Sequence, residues 1–293
     1  MSESLSCHTT AIRAPEPPEG LERLAALLQQ SRRTLVITGA GCSTGVGIPD
    51  YRDRHGRWKR AQPMQLRTFL GSEGARRRYW SRSFVGWPTV AEARPGESHR
   101  LLAALQERGY IHDLVTQNVD GLHTAAGSEP VIELHGSLHR VVCRGCGAQL
   151  GRGALQERLA ALNPGWRADG SMRPDGDAEL GDADATDFRI PGCAHCGGIL
   201  KPDVIFFGEN VPQPRVADVY TRLAAADLLL VVGSSLMVWS GYRFAREAVR
   251  LGLPIAAINA GRTRADDELS LKLEAPCEDT LAALDRLLSR AGA

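Results

Sequence analysis

Two copies of one short spacing, Cys143-x-x-Cys146 and Cys193-x-x-Cys196, constrain this chain more than any other feature. Each pair sits beside glycine, in Cys-Arg-Gly-Cys-Gly and Cys-Ala-His-Cys-Gly-Gly, and glycine permits the tight turn that points two thiolates at one centre. Four thiolates close the tetrahedral shell of Zn²⁺ and leave no position for water, so the spacing predicts one structural zinc per chain. Redox dithiols are the alternative reading of the same pairs. The chain has seven cysteines, an odd number, so a disulfide framework is a poor fit. Residues 147–192 separate the pairs, beyond the usual roughly 15–20. That gap carries Asp169, Asp175, Asp177, Glu179, Asp182, Asp184 and Asp187 among Gly and Ala, and reads as an insertion looping out of a zinc ribbon. His195 is a fifth donor nearby, but four thiolates already fill the site.

The remainder alternates apolar runs with helical spacings. Thr34–Thr38, 110–116, 131–134, Val204–Phe207, 227–232, 254–258 and 271–273 read as strands. Residues 21–31, 60–107, 214–225, 241–251 and 278–290 read as helices. Strands alternating with helices predict an α/β fold with a doubly wound parallel sheet. Residues 1–20 are rich in Pro, Ser and Glu and read as a flexible tail. In open parallel sheets ligands bind beyond the carboxyl ends of the strands, and the loops at 39–52, 117–123, 135–137, 207–209, 233–236 and 259–261 all follow strands. They predict one shared site.

The first of these loops reads Gly39-Ala-Gly41-Cys-Ser43-Thr-Gly45-Val-Gly47-Ile-Pro-Asp50-Tyr-Arg52. Glycines let backbone approach a pyrophosphate, although Thr44 stands where the common dinucleotide fingerprint has its third glycine. Gln117-Asn118-Val-Asp120 gathers two amides and a carboxylate at the end of the second strand, and His135 follows the third. An imidazole with an unperturbed pKa near 6.5 can collect a proton at neutral pH, and His135, between an apolar strand end and a glycine, is a better base candidate than His123.

These motifs, with Glu133-Leu-His-Gly136, Lys201-Pro-Asp-Val-Ile-Phe-Phe-Gly-Glu209, Gly233-Ser-Ser-Leu236, Asn259-Ala-Gly261 and the cysteine pairs, resemble the sirtuins in order and spacing across residues 30–280. Arg78-Tyr-Trp-Ser-Arg-Ser-Phe-Val-Gly-Trp-Pro88, Leu162-Asn-Pro-Gly-Trp166 and Pro174-Asp-Gly-Asp177 are similar to the class II branch, which includes a lipoamide-removing and ADP-ribosylating enzyme. The resemblance implies a Rossmann-like domain from 21–140 and 200–293, with a helical insertion near 53–98 and a small zinc-binding module inserted at 141–199. It further implies an NAD-dependent protein lysine deacylase. The acyl oxygen attacks the nicotinamide ribose, nicotinamide leaves, and the acyl group ends on ADP-ribose as 2′-O-acyl-ADP-ribose. His135, Asn118 and Asp120 would be catalytic, with NAD a consumed cosubstrate.

By the same resemblance Gly39, Ala40, Gly41 and Ser43 would touch the phosphates, and Asp50, Tyr51 and Arg52 would lie near the nicotinamide. Gln117, Asn118 and Asp120 would flank the reacting ribose, and Gly233, Ser234, Ser235, Asn259, Ala260, Gly261 and Cys277 would line the adenosine half. Ile205 and Phe207 would wall an acyl-lysine tunnel, while Gly208, Glu209, Leu236 and Val238 would pair with a substrate peptide as an added strand. Tyr79-x-x-Arg82 resembles a pair with which another branch holds succinyl-lysine, against the plainer reading of a helix-surface arginine.

Val46 and Tyr51 depart from the residues common elsewhere in the family, where serine and phenylalanine stand. The same features also fit a mono-ADP-ribosyltransferase or lipoamidase of the same fold, a hydride-transferring NAD enzyme, and a non-enzymatic NAD-sensing zinc module. The net charge of +1 and the acidic insertion argue against nucleic acid. No run approaches the roughly 18 apolar residues of a membrane span. The first twenty residues carry Glu3, Glu16 and Glu19 with no apolar leader pattern, so the cytoplasm is the expected compartment.

Overall fold

The computed structural model describes residues 20–59, 62–168, 170–172, 176–180 and 185–291. The expected tail up to residue 19, with Cys7, and Asp169, Asp175, Asp182 and Asp184 of the acidic insertion lie outside the described residues. In chain order the first elements are α1 (Leu21–Gln30), β1 (Thr34–Thr38), α2 (Leu66–Gly71), α3 (Glu73–Glu92), α4 (Glu97–Glu107), β2 (Asp113–Thr116), α5 (Leu122–Ala125) and β3 (Val131–Glu133). There follow β4 (Gly136–Cys143), β5 (Gln149–Gly151), α6 (Arg152–Leu162), β6 (Ser171–Met172), β7 (Ala178–Glu179) and β8 (Leu200–Val204). The chain closes with α7 (Gln213–Ala224), β9 (Leu228–Val232), α8 (Trp239–Arg250), β10 (Ile255–Ile258), β11 (Leu271–Leu273) and α9 (Cys277–Ala291).

Six strands form one sheet in the order β11-β10-β9-β1-β2-β3, each neighbouring pair parallel. A strand alternates its side chains between two faces, and here both faces are apolar. Val36, Leu114, Leu230 and Ile258 pack with α1, α4 and α9 on one side. Leu35, Ile37, Val115, Leu229 and Ala257 pack with α7 and α8 on the other. The sheet is therefore doubly wound, as its β-branched runs predict. Strand order reverses between β1 and β9, so the loops that follow them part company there and leave a crevice.

A second sheet, β5-β4-β8, is antiparallel and joins the first through two crossings. The chain leaves β3 through Leu134 and His135 and enters β4; it returns through β8 into Ile205, whose N–H donates to the His135 carbonyl at 2.8 Å. Gly136 makes the crossing feasible: its φ is +83°, and a Cβ there would lie 2.0 Å from the Asp203 carbonyl oxygen.

Three expectations are corrected. The strand expected at Val204–Phe207 ends at Val204 and pairs antiparallel in the small sheet, because Phe206 N–H turns to the Glu209 carboxylate at 3.0 Å and Gly208 reverses the backbone at φ +78°. The strand expected from residue 110 begins at Asp113, because the amides of Tyr110 and Ile111 close α4 on the Leu105 carbonyl. The insertion does not simply loop out: Leu180, Ala185 and Phe188 are buried, and Phe188 packs on Phe84 and Trp166.

Candidate active site

The strand-end loops converge on a cleft of about 840 Å³, well inside the roughly 300–1,000 Å³ of small-molecule sites. Every predicted contact residue for cosubstrate and peptide lines this cleft except Ser43 and Asp120. Its floor joins the glycine loop after β1 to Gly233–Ser235 after β9 and Asn259–Gly261 after β10. Gly39 and Gly233 bring the two central loops into contact: a Cβ on Gly39 would sit 2.8 Å from the Gly233 carbonyl oxygen. Beyond them lie Gln117, Asn118 and His135, and the far wall is Ile205–Glu209 opposite Leu236–Val238.

Ser43 and Asp120 lie behind this floor, beside a cavity of about 30 Å³. The Ser43 hydroxyl donates to Asp120 Oδ2 at 2.8 Å, and Asn118 Nδ2 donates to Ser43 Oγ and to the Gly39 carbonyl, each at 3.1 Å. Both Ser43 and Asp120 are buried. In this structure the three side chains tie the glycine loop to the end of β2, and only Asn118 reaches the large cleft. His123 is buried as well, with Nε2 2.9 Å from Thr38 Oγ1, and burial pushes it down to about 3, helped by His99.

His135 is held from both ring nitrogens. Nδ1 lies 2.9 Å from the Gln117 carbonyl oxygen, which can only accept, so Nδ1 carries the proton of the neutral ring. Nε2 is then the bare lone pair, and it lies 2.7 Å from Ser240 Oγ. Burial pushes His135 down to about 4, the Gln117 carbonyl opposes this, and the charges of Arg215 and Arg243 add to it. At pH 7 the imidazole is neutral and able to accept a proton at Nε2.

Several residues of the cleft escaped the sequence reading. Trp58 packs edge-on against Phe207 and lies 4.0 Å from the Arg52 guanidinium, which fixes the segment after the glycine loop. Lys201 is buried and paired with Glu209 at 2.9 Å, so it anchors the Ile205–Glu209 wall from beneath. Ser240 and Arg243 come from α8, one turn apart. The motif at 201–209 was a visible signal for Lys201; the helix residues carried none, because a lone polar residue at a helix start resembles any solvated one. Tyr79 lines the cleft, whereas Arg82 is not among its lining residues and donates to the Leu180 carbonyl at 3.3 Å. Leu236, at φ +52°, is the one non-glycine residue in the left-handed region among the described residues, and it sits in the peptide-facing wall.

The four cysteines of the paired motifs gather with all sulfurs within 4.8 Å of one another. Cys143 and Cys196 are 3.5 Å apart and Cys146 and Cys193 3.7 Å. Sulfurs about 2.3 Å from a zinc ion define a tetrahedron with edges of about 3.8 Å, so the donor set fits. The backbone N–H of Cys146 and that of Gly145 draw the Cys143 thiol down to about 6, towards the thiolate that zinc requires.

The model of the Sir2 family matches residues 39–240. Over 268 residues the chain is 52% identical to NAD-dependent protein deacetylase 2 of Bradyrhizobium diazoefficiens, covering 91% of this chain and 98% of that protein. It is 46% identical over 292 residues to the mitochondrial NAD-dependent protein lipoamidase sirtuin-4 of Bos taurus, covering 97% and 93%. A solved structure of Sir2 with a p53 peptide and NAD⁺ superposes with a TM-score of 0.73 at 29% identity, over 93% of this chain and 98% of that one.

Proposed function

The chain belongs to the Sir2 family, and we propose that its cleft removes acyl groups from protein lysines with His135 as the general base. It is an NAD-dependent protein deacylase of the sirtuin type. NAD, when bound, supplies the electrophilic ribose carbon, the departing nicotinamide and the acceptor hydroxyl. Gly39, Ala40 and Gly41 are the backbone against which its phosphates would rest, with Gly233–Ser235, Asn259–Gly261 and Cys277 on the adenosine side. Gln117 and Asn118 would orient the reacting sugar, and Asp120 and Ser43 would support them from behind. Cys143, Cys146, Cys193 and Cys196 would hold a structural zinc within a module we place at 141–199.

A single observation carries this reading. His135 lines the cleft as a neutral imidazole, fixed at Nδ1 by the Gln117 carbonyl and bonded at Nε2 only to the exchangeable Ser240 hydroxyl. The peptide would enter as an added strand between Gly208–Glu209 and Leu236–Val238, a mode that reads main chain and tolerates varied sequences. Trp58, Met64, Tyr79 and Phe207 give the tunnel an apolar wall, which favours uncharged acyl groups, acetyl among them and lipoyl as in the bovine relative. The proposed compartment is the cytoplasm; no helix among the described residues is long and apolar enough to cross a membrane.

Mass spectrometry of NAD with an acetyl-lysine peptide tests the proposal. Equal amounts of free lysine peptide, nicotinamide and 2′-O-acetyl-ADP-ribose are expected, with about 10²–10⁴-fold less in His135→Ala, the usual range for a lost general base. Reduced NAD among the products, or a His135→Ala variant as fast as wild type, contradicts it.

A further inference from the structure

The atom of His135 that must receive a proton already has a partner. Nε2 lies 2.7 Å from Ser240 Oγ, and because Nδ1 is committed as donor to the Gln117 carbonyl, the Ser240 hydroxyl donates and Nε2 accepts. The imidazole is thus gripped between the end of β2 and the first turn of α8. The fit is close. Gly241, next along α8, faces the Gln117 side chain, and a Cβ there would lie 2.4 Å from Gln117 Oε1. A side chain at that position would displace the Gln117 amide, the group next to the carbonyl that holds Nδ1. Trp239, on the other side of Ser240, points outward and is 52% exposed, so the turn presents Ser240 to the cleft and Trp239 to its mouth.

We infer that Ser240 is a positioning residue of the deacylation, acting through His135: its hydroxyl holds the imidazole plane with Nε2 aimed into the cleft until the ribose hydroxyl takes its place. This rests on the reading of His135 as the base. In the step itself the ribose O–H bond breaks, its proton passes to Nε2, and the oxygen keeps the electron pair. Ser240 rotates aside and neither gains nor loses a proton. The ring becomes an imidazolium, and its Nδ1–H stays bonded to the Gln117 carbonyl throughout. Without the hydroxyl, one of the two contacts that define the ring's orientation is gone, and the near-attack geometry is populated less often.

The consequence is selective. Nicotinamide departs before the base is needed, so exchange of labelled nicotinamide into NAD requires the cleft but not Nε2. Ser240→Ala is expected to lower kcat for deacylation about tenfold, the scale of a modest misplacement of a reacting group. Nicotinamide exchange and the KM for NAD should stay at wild-type values. Ser240→Thr, which keeps the hydroxyl, should recover most of the lost kcat. Wild-type deacylation by Ser240→Ala beside an impaired His135→Ala overturns this inference alone. An equal fall in exchange and deacylation, or no rescue by threonine, also overturns it, because either marks a merely structural residue. A fully active His135→Ala removes the base itself and the inference with it.

Discussion

The parallel sheet and the small cysteine-bearing sheet are held together differently. The first buries apolar side chains on both faces, with leucines of α1, α4 and α9 on one side and α7 and α8 on the other. The second has three antiparallel strands, the eight-residue β4 flanked by β5 and β8, and it brings four sulfurs together at the Cys143 end of β4. This second sheet has a core of its own around Leu138, Leu155 and Phe188, and its cysteine tip is where a metal would add a further constraint. The residues that matter for chemistry lie at the joint. His135 and Ile205, bonded to each other, are where the chain passes from one sheet to the other and back. The base is therefore answerable to both regions.

Zinc removal is the strongest way to separate them. Structural zinc in small zinc peptides contributes roughly 10–16 kcal/mol of apparent folding free energy. Chelation, with release followed by a zinc dye, should open residues near 141–199 to protease, abolish deacylation and leave the helical signal of the large sheet mostly intact. Deacylation that continues with the metal gone would show that the cleft does not depend on the cysteine-bearing sheet. Leu230→Ala probes the other region. Leu230 is fully buried in the central strand β9. The change should lower global stability by about 2–5 kcal/mol in urea unfolding, while the affinity for zinc stays as it was.

A smaller effect concerns acid. Burial drives the folded pKa of His123 down to about 3 and of His135 to about 4. The unfolded chain protonates both near 6.5, so falling pH favours unfolding from about 6.5 down to the folded values, at up to about 1.4 kcal/mol per pH unit for each histidine. His123→Gln should flatten that slope in urea titrations at several pH values; an unchanged slope would place the acid sensitivity elsewhere. The smallest effect belongs to Arg82. Its guanidinium meets the Leu180 carbonyl outside the cleft, so Arg82→Ala should leave the ratio of succinyl to acetyl turnover within about twofold, the scale of a surface change. A selective loss of succinyl turnover would return Arg82 to the site.

The large sheet was more legible than the small one because its signal is local. Runs such as Leu228-Leu-Leu-Val-Val232 announce a strand buried on both faces without reference to the rest of the chain. The cysteine spacing was equally plain, since metal geometry leaves few alternatives. Val204–Phe207 misled because an apolar quartet does not reveal that Gly208 and Glu209 will fold it into a cleft wall. The glycine loop announced its place but not which side chains turn inward. Ser43 is buried against Asp120, a contact between residues far apart in sequence. Ser240 was invisible for a related reason: its meaning depends on the distance from α8 to β3, which is a property of packing.

His135 stands neutral at the joint, protonated on Nδ1, with Nε2 accepting from the Ser240 hydroxyl until a substrate proton replaces it. Long-range ¹⁵N–¹H correlation of imidazole-labelled protein, assigned by comparison with His135→Ala, reads both tautomer and titration directly. The account predicts an Nδ1–H ring at pH 7 that protonates only near pH 4. An Nε2–H ring, or a midpoint at the ordinary histidine value of about 6.5, would contradict it.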